Sequence, residues 1–117
     1  MYDIKPKVNQ LLEEIVGEDN VSDSYPDDFT NLPKISFYEQ FNNDHFKKGP
    51  ELLTEIVIQI DIWHNRSTGE LAKQVNEKMN SIGFRREFMG DVPDPKVKHK
   101  TMRFRGIVDK RNLIVYQ

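Results

Sequence analysis

The sequence contains no cysteine, so it can form neither disulfide bonds nor thiolate metal sites, and its fold depends on packing and hydrogen bonds. It has no apolar run close to the ~20 residues that a membrane-spanning helix requires. Its first segment, MYDIKPKVNQ, lacks the apolar core of a signal peptide. The glycines are scattered as single residues, so there is no glycine-rich phosphate loop. We therefore expect a soluble protein that is made in the cytosol.

Charge is distributed unevenly along the chain, although the formal net charge is only −2. Residues 1–61 contain 13 acidic and 5 basic side chains, a net charge of −8. Residues 62–117 contain 12 basic and 6 acidic side chains, a net charge of +6. A compact domain that keeps one acidic and one basic surface can bind copies of itself head to tail. The uneven distribution therefore suggests self-assembly.

Hydrophobic periodicity predicts a single α+β domain over residues 1–117. Two segments have the apolar spacing of amphipathic helices, and five have the patterns of strands, at 33–40, 54–63, 84–89, 97–108 and 112–116. The clearest strand is TEIVIQIDIW, whose isoleucines alternate with other residues and should face the core. Short polar loops favour antiparallel pairing, and two helices can cover one side of such a sheet. The predicted fold is an antiparallel sheet of about five strands with two helices packed on one face.

The polar stretch 41–50 interrupts this pattern between the first two strands. It runs from Phe41 to Pro50 and contains the turn-forming pair Gly49-Pro50. We interpret it as a long hairpin loop or a flexible arm.

Two charged segments are the candidate interaction sites. The segment 18–28 has five acidic residues and no basic one, and its members are Glu18, Asp19, Asp23, Asp27 and Asp28. The segment 96–105 is basic and includes Lys98, Lys100, Arg103 and Arg105. Three interpretations of the basic segment remain open: a nucleic-acid contact, a charged strand edge that prevents aggregation, and a surface that binds the acidic segment of a neighbouring subunit. We favour the third interpretation.

Two further features have alternative interpretations. Trp63 lies on the strand face opposite the isoleucines, where it is either covered by a helix or exposed to a partner. Asp61 and His64 could meet at the end of the same strand and form a small catalytic site, but no nucleophile motif accompanies them. The three histidines, His45, His64 and His99, lack the close spacing of metal ligands, so we predict no metal or other cofactor.

The order of several segments carries a resemblance to a known family. An N-terminal helix precedes a proline-led strand, LPKISFYEQ, and a long alternating strand that ends in tryptophan, TEIVIQIDIW. An S-T turn then leads into an amphipathic helix that ends near GF, and HKTMRFRGIVD follows. Over residues 3–108 this arrangement resembles the tail-completion proteins of long-tailed bacteriophages, which are also called tail terminators or head-to-tail joining proteins.

The resemblance implies a structural virion protein without enzymatic activity. Proteins of this family form a ring, typically six-fold, that caps the tail tube and docks to the connector under the portal. The implied partners are other copies of the chain, the tail tube protein and the head-connector protein, with no membrane and no sequence-specific nucleic acid. The implied location is the head–tail interface of the virion, after synthesis in the bacterial host cytoplasm. We expect the five acidic residues to face the basic strand of the next subunit, with Trp63 as a further interface residue. The alternative function is a small nucleic-acid-associated module that uses residues 96–105.

Overall fold

The computed structural model describes residues 2–23, 26, 30–45, 53–109 and 114–116. The helices are α1, Lys5–Val16, and α2, Gly69–Ser81. The strands are β1, Val21–Ser22; β2, Lys34–His45; β3, Leu53–His64; β4, Arg85–Val92; β5, Lys98–Asp109; and β6, Ile114–Tyr116. A short 3₁₀ turn, Glu18–Asn20, joins α1 to β1.

Helix α1 forms where apolar residues recur at helical spacing. Val8 and Leu12 are fully buried against the sheet. At its start, the Asp3 carboxylate accepts a hydrogen bond of 3.2 Å from the backbone N–H of Lys5. At its end, Gly17 adopts φ of 93°, a conformation that other residues rarely reach. The helix therefore has defined boundaries and one buried face.

The strands form one sheet in the order β1-β2-β3-β5-β4, and β6 pairs with β5 beside this path. Only the short β1 runs parallel to its neighbour, and the other pairs are antiparallel. Strand β3 lies in the middle, between β2 and β5. The acidic first half and the basic second half of the chain thus contribute to the same sheet. The predicted α+β fold class is confirmed.

The core lies between the sheet and the two helices. The β3 isoleucines Ile56, Ile58, Ile60 and Ile62 are fully buried, as their alternation predicts. Val75 and Met79 of α2 belong to the same buried cluster as the α1 residues. Both helices therefore cover one face of the sheet, and the other face, which we call the open face, carries neither of the described helices.

The prediction of a loop over residues 41–50 is wrong for its first part, because β2 continues to His45. A β-bulge between Glu39 and Phe41 shifts the register, which breaks the alternation that marks a strand in sequence. Two polar side chains of this part have partners: the Asn42 amide donates to Glu39 at 2.8 Å, and Asp44 accepts a hydrogen bond from the Thr54 hydroxyl at 2.8 Å. Residues 46–50 lie outside the described residues.

Candidate interaction surface

The open face consists of side chains from four neighbouring strands. Strand register places them on the side opposite the buried isoleucines. They include Ser36, Tyr38 and Phe41 of β2; Glu55, Val57, Gln59, Asp61 and Trp63 of β3; His99, Thr101, Arg103 and Arg105 of β5; and Glu87 and Phe88 of β4. The face therefore mixes aromatic, acidic and basic groups.

An arginine–glutamate network crosses the open face. A bulge in β4 at Glu87 directs the carboxylate of this residue toward β5. Arg103 and Arg105 each donate Nε–H to one oxygen of Glu87 at 3.0 Å. Arg105 also donates through Nη1 to Glu55. The hydrogen bond to Glu87, with a smaller contribution from Glu55, raises the pKa of the Arg105 guanidinium above its ordinary value. Both arginines are thus already paired within the subunit.

The four predicted basic interface residues do not lie on one surface. Lys98 and Lys100 pair across from His64 and Ile62, so they belong to the helix-covered side of β5, whereas Arg103 and Arg105 point to the open face. The ammonium of Lys100 lies 2.9 Å from the Asp91 carboxylate, and its side chain is only 14% exposed. Lys98 is exposed. No single face of β5 therefore presents all four cations to a neighbouring subunit or to a nucleic acid.

Trp63 lies inside the subunit instead of at its surface. It is 4% exposed, although neither α1 nor α2 covers it. Its ring stacks on His99 with a centroid distance of 3.7 Å, and its Nε1–H donates to the Ser36 hydroxyl at 3.1 Å. Trp63 has almost no surface to offer a partner, so we remove it from the predicted interface.

Asp61 pairs with a histidine that the sequence did not indicate. Its carboxylate lies 2.8 Å from Nε2 of His99, and both side chains are 12% exposed. The expected partner, His64, is three residues away on the same strand, where alternation places it on the opposite face. The Nδ1 of His64 instead accepts a hydrogen bond from the backbone N–H of Asn65. The catalytic pair Asp61–His64 does not form, and Asp61 is part of the cluster that holds Trp63.

The acidic segment lies at one edge of the sheet. Glu18 and Asp19 belong to the 3₁₀ turn, Asp23 follows β1, and all three side chains are exposed. They form no ion pair with the part of the chain that the structure describes. Asp27 and Asp28 lie outside the described residues.

Three large aromatic side chains of the open face are accessible to solvent. Tyr38 is 44% exposed, Phe41 is 39% exposed and Phe88 is 46% exposed. The Arg103 guanidinium lies 5.4 Å from the centre of the Phe88 ring, a distance at which a cation–π interaction forms. Near Phe41 the face has a shallow depression of about 560 Å³, bordered by Val57 and the arginine–glutamate network. Exposed aromatic groups of this kind are typical of protein contact surfaces.

The described helices include none that is long and apolar enough to cross a membrane. Within the described residues, no three histidine and acidic side chains come together in a way that could hold a metal ion. Neither a scan against protein-family models nor a search of curated proteins found a match for this chain.

Proposed function

We propose that this chain is a structural protein of a long-tailed phage or prophage, which forms a ring that completes the tail and joins it to the head connector. Its partners would be other copies of the chain, the tail tube protein and the connector protein. The proposal draws on the order of sequence segments that resembles tail-completion proteins. The α+β domain, with its helices on one side of the sheet, is compatible with that order.

The observation that best supports the ring is the position of the charged segments relative to the sheet. The acidic residues Glu18, Asp19 and Asp23 lie at the β1 edge, whereas β5 lies next to the opposite edge strand, β4. A ring requires two different complementary surfaces on each subunit, because every copy contacts its neighbours through unlike patches. The β1 edge and the β5 part of the open face are two different surfaces, so they meet this requirement.

The arginines can contribute to such a contact although they are paired within the subunit. A guanidinium has five N–H donors, and Arg103 uses one of them for Glu87 in the described part of the chain. A carboxylate from a neighbouring subunit could therefore join the network without displacing Glu87. Charges at the rim of an interface mainly set register and association rate, while apolar contacts supply most of the affinity.

The acidic side offers the cleaner experiment. Changing Arg103 and Arg105 to Glu would place two new carboxylates beside those of Glu55 and Glu87, so we expect that variant to lose stability as well as assembly. The double variant Asp19→Lys, Asp23→Lys instead changes exposed side chains without described ion pairs. Its matched control is Glu70→Lys, Glu77→Lys on the exposed side of α2, which alters the net charge by the same amount.

Sedimentation velocity and negative-stain images would measure the assembly of each variant, and far-UV circular dichroism would verify the fold. We expect rings for the unchanged protein and for the α2 control, and a shift toward single subunits for the Asp19, Asp23 variant. Rings of equal size and stability in both variants would contradict the role of the acidic segment. A protein that forms no ring alone or with the tail tube protein would contradict the proposed function itself.

A further inference from the structure

The middle of the open face has an arrangement that matches its own two-fold copy. Strand pairing aligns Tyr38 with Gln59, Gln59 with Arg103 and Arg103 with Phe88. This row crosses β2, β3, β5 and β4 in that order and has an aromatic ring at each end. Gln59 and Arg103 lie near the middle of their strands, so the row lies near the middle of the face.

A two-fold axis parallel to the strands would bring two such rows into complementary contact. Rotation about this axis places β2 of one copy over β4 of the other, and β3 over β5. Tyr38 then lies over Phe88 of the second copy, and Gln59 lies over Arg103 of the second copy. Sheets that pack face to face are about 10 Å apart and cross at about 30°, which preserves the overlap at the centre of the face.

The Phe88 ring is held in position for this contact. It lies against Gly90 of the same strand, where an added Cβ would come within 3.1 Å of the ring carbon Cζ. The Arg103 guanidinium covers part of the same ring. An aromatic group that is already ordered loses little entropy on binding.

The charges and the area of the face are also compatible with self-association. The arginine–glutamate network contains two cations and two anions, so two copies can approach without a net repulsion between their networks. Strands of 12, 12, 12 and 8 residues give the face an area of about 700 Å², from a rise of about 3.3 Å and a spacing of about 4.8 Å. Two faces would bury at most about 1,400 Å², at complete overlap, and specific interfaces bury about 1,200–2,000 Å².

We propose that the open face is a self-association surface, on which two copies of this chain pair around a two-fold axis with Tyr38 of each copy against Phe88 of the other. This contact centres on Tyr38 and Phe88, which the proposed ring does not use, although Arg103 of the same face belongs to both proposals. Substitutions at Phe88 therefore test the pairing, and substitutions at Asp19 and Asp23 test the ring.

The experiment compares Phe88→Lys with Met89→Lys in the full chain. The two residues are adjacent on β4 and similarly exposed, at 46% and 40%, but alternation directs Met89 away from the open face. Sedimentation equilibrium up to about 200 µM gives the dissociation constant of the pair. Because the two-fold contact contains Phe88 of both copies, one substitution changes the contact in two places. We therefore expect Phe88→Lys to raise the dissociation constant about 100-fold or more. Met89→Lys should leave it unchanged.

A charge exchange tests the partner assignment within the contact. Phe88→Asp alone should weaken the pair, and Tyr38→Lys added to Phe88→Asp should recover at least about tenfold, because each lysine then faces an aspartate of the other copy. The two altered residues are three strand spacings apart within one subunit, about 14 Å, so the recovery would not arise inside a single copy.

Three outcomes would overturn the proposal: a protein that stays a single subunit at about 200 µM, equal effects of Phe88→Lys and Met89→Lys, or no recovery in the charge exchange. A ring that forms in the unchanged protein without any two-fold pair at about 200 µM would overturn the face contact and leave the ring proposal standing. A pair that depends on Phe88 and does not respond to Asp19→Lys, Asp23→Lys would support the face contact.

Discussion

Replacing Trp63 should destabilise the subunit itself, because this side chain is part of the folded interior. An indole that is 4% exposed removes most of its surface from water, and a large aromatic side chain buries about 150–250 Å². At about 25 cal/mol per Å², that burial is equivalent to about 4–6 kcal/mol. Measured truncations of buried aromatic residues cost about 3–5 kcal/mol, so we expect Trp63→Ala to lower the free energy of unfolding by about that amount.

A milder variant separates the ring from its hydrogen bond. Trp63→Phe retains an aromatic ring that can stack on His99, but it removes the N–H that donates to Ser36 at 3.1 Å. We expect this change to cost about 1–2 kcal/mol, from the lost hydrogen bond and the smaller ring. Tyr38→Ala, on the same face but 44% exposed, should lower the free energy of unfolding by less than about 1 kcal/mol.

Urea unfolding followed by far-UV circular dichroism suits this comparison, because Trp63 is the sole tryptophan and its variants lose the fluorescence signal. The expected order of stability is unchanged protein, Tyr38→Ala, Trp63→Phe and then Trp63→Ala. If the free energy of unfolding of Trp63→Ala were within about 1 kcal/mol of the value for the unchanged protein, the interior position of Trp63 would be refuted. If Trp63→Ala also changed the size of the oligomer, that result would indicate that Trp63 lies at a subunit interface.

Two further predictions concern charged side chains. Glu87→Gln should lower the free energy of unfolding by only about 0.5–1 kcal/mol, because the side chains of Glu87, Arg103 and Arg105 are 30–43% exposed and water screens their charges. A double-mutant cycle with Arg103→Gln measures the coupling energy between the two residues, and a coupling near zero would contradict this prediction. The backbone N–H groups of Lys96 and, to a smaller extent, Val97 donate to the Asp94 carboxylate and lower its pKa. The ionised carboxylate therefore stabilises the folded state above the unfolded-state pKa, and this contribution is lost as pH falls through the folded-state pKa. The stability difference between the unchanged protein and Asp94→Asn should therefore shrink between neutral pH and about pH 3, and urea unfolding at a series of pH values would show whether it does.

Regular alternation made the central strand predictable from sequence. Ile56, Ile58, Ile60 and Ile62 occupy every second position without interruption, and this period matches only a strand with one buried face. The β-bulge at Glu39 and Phe41 explains the error in the neighbouring strand, because an extra residue reverses the alternation and makes Asn42 and Asn43 resemble a loop. The local sequence pattern therefore predicts a strand correctly where strand pairing is regular, and it fails where a β-bulge inserts one residue.

The basic segment contained a signal that could have been used more fully. Lys98 and Lys100 have the same parity as the core residues Met102 and Phe104, so alternation alone separates them from Arg103 and Arg105. Nothing local, however, indicates the contact between Asp61 and His99. These residues are 38 positions apart in sequence and meet only because β3 pairs with β5 in one particular register. Contacts across a sheet require the strand order, which the sequence pattern did not supply.

The central position of β3 also affects how the chain folds during synthesis. Strand β3 ends at His64, and its partner β5 ends only at Asp109, 45 residues later. At a translation rate of about 5–20 residues per second, the isoleucine-rich strand waits about 2–9 s before its second neighbour leaves the ribosome. During that interval the β2–β3 hairpin has an unpaired edge and an incompletely covered apolar face, which makes the nascent chain a natural client for molecular chaperones.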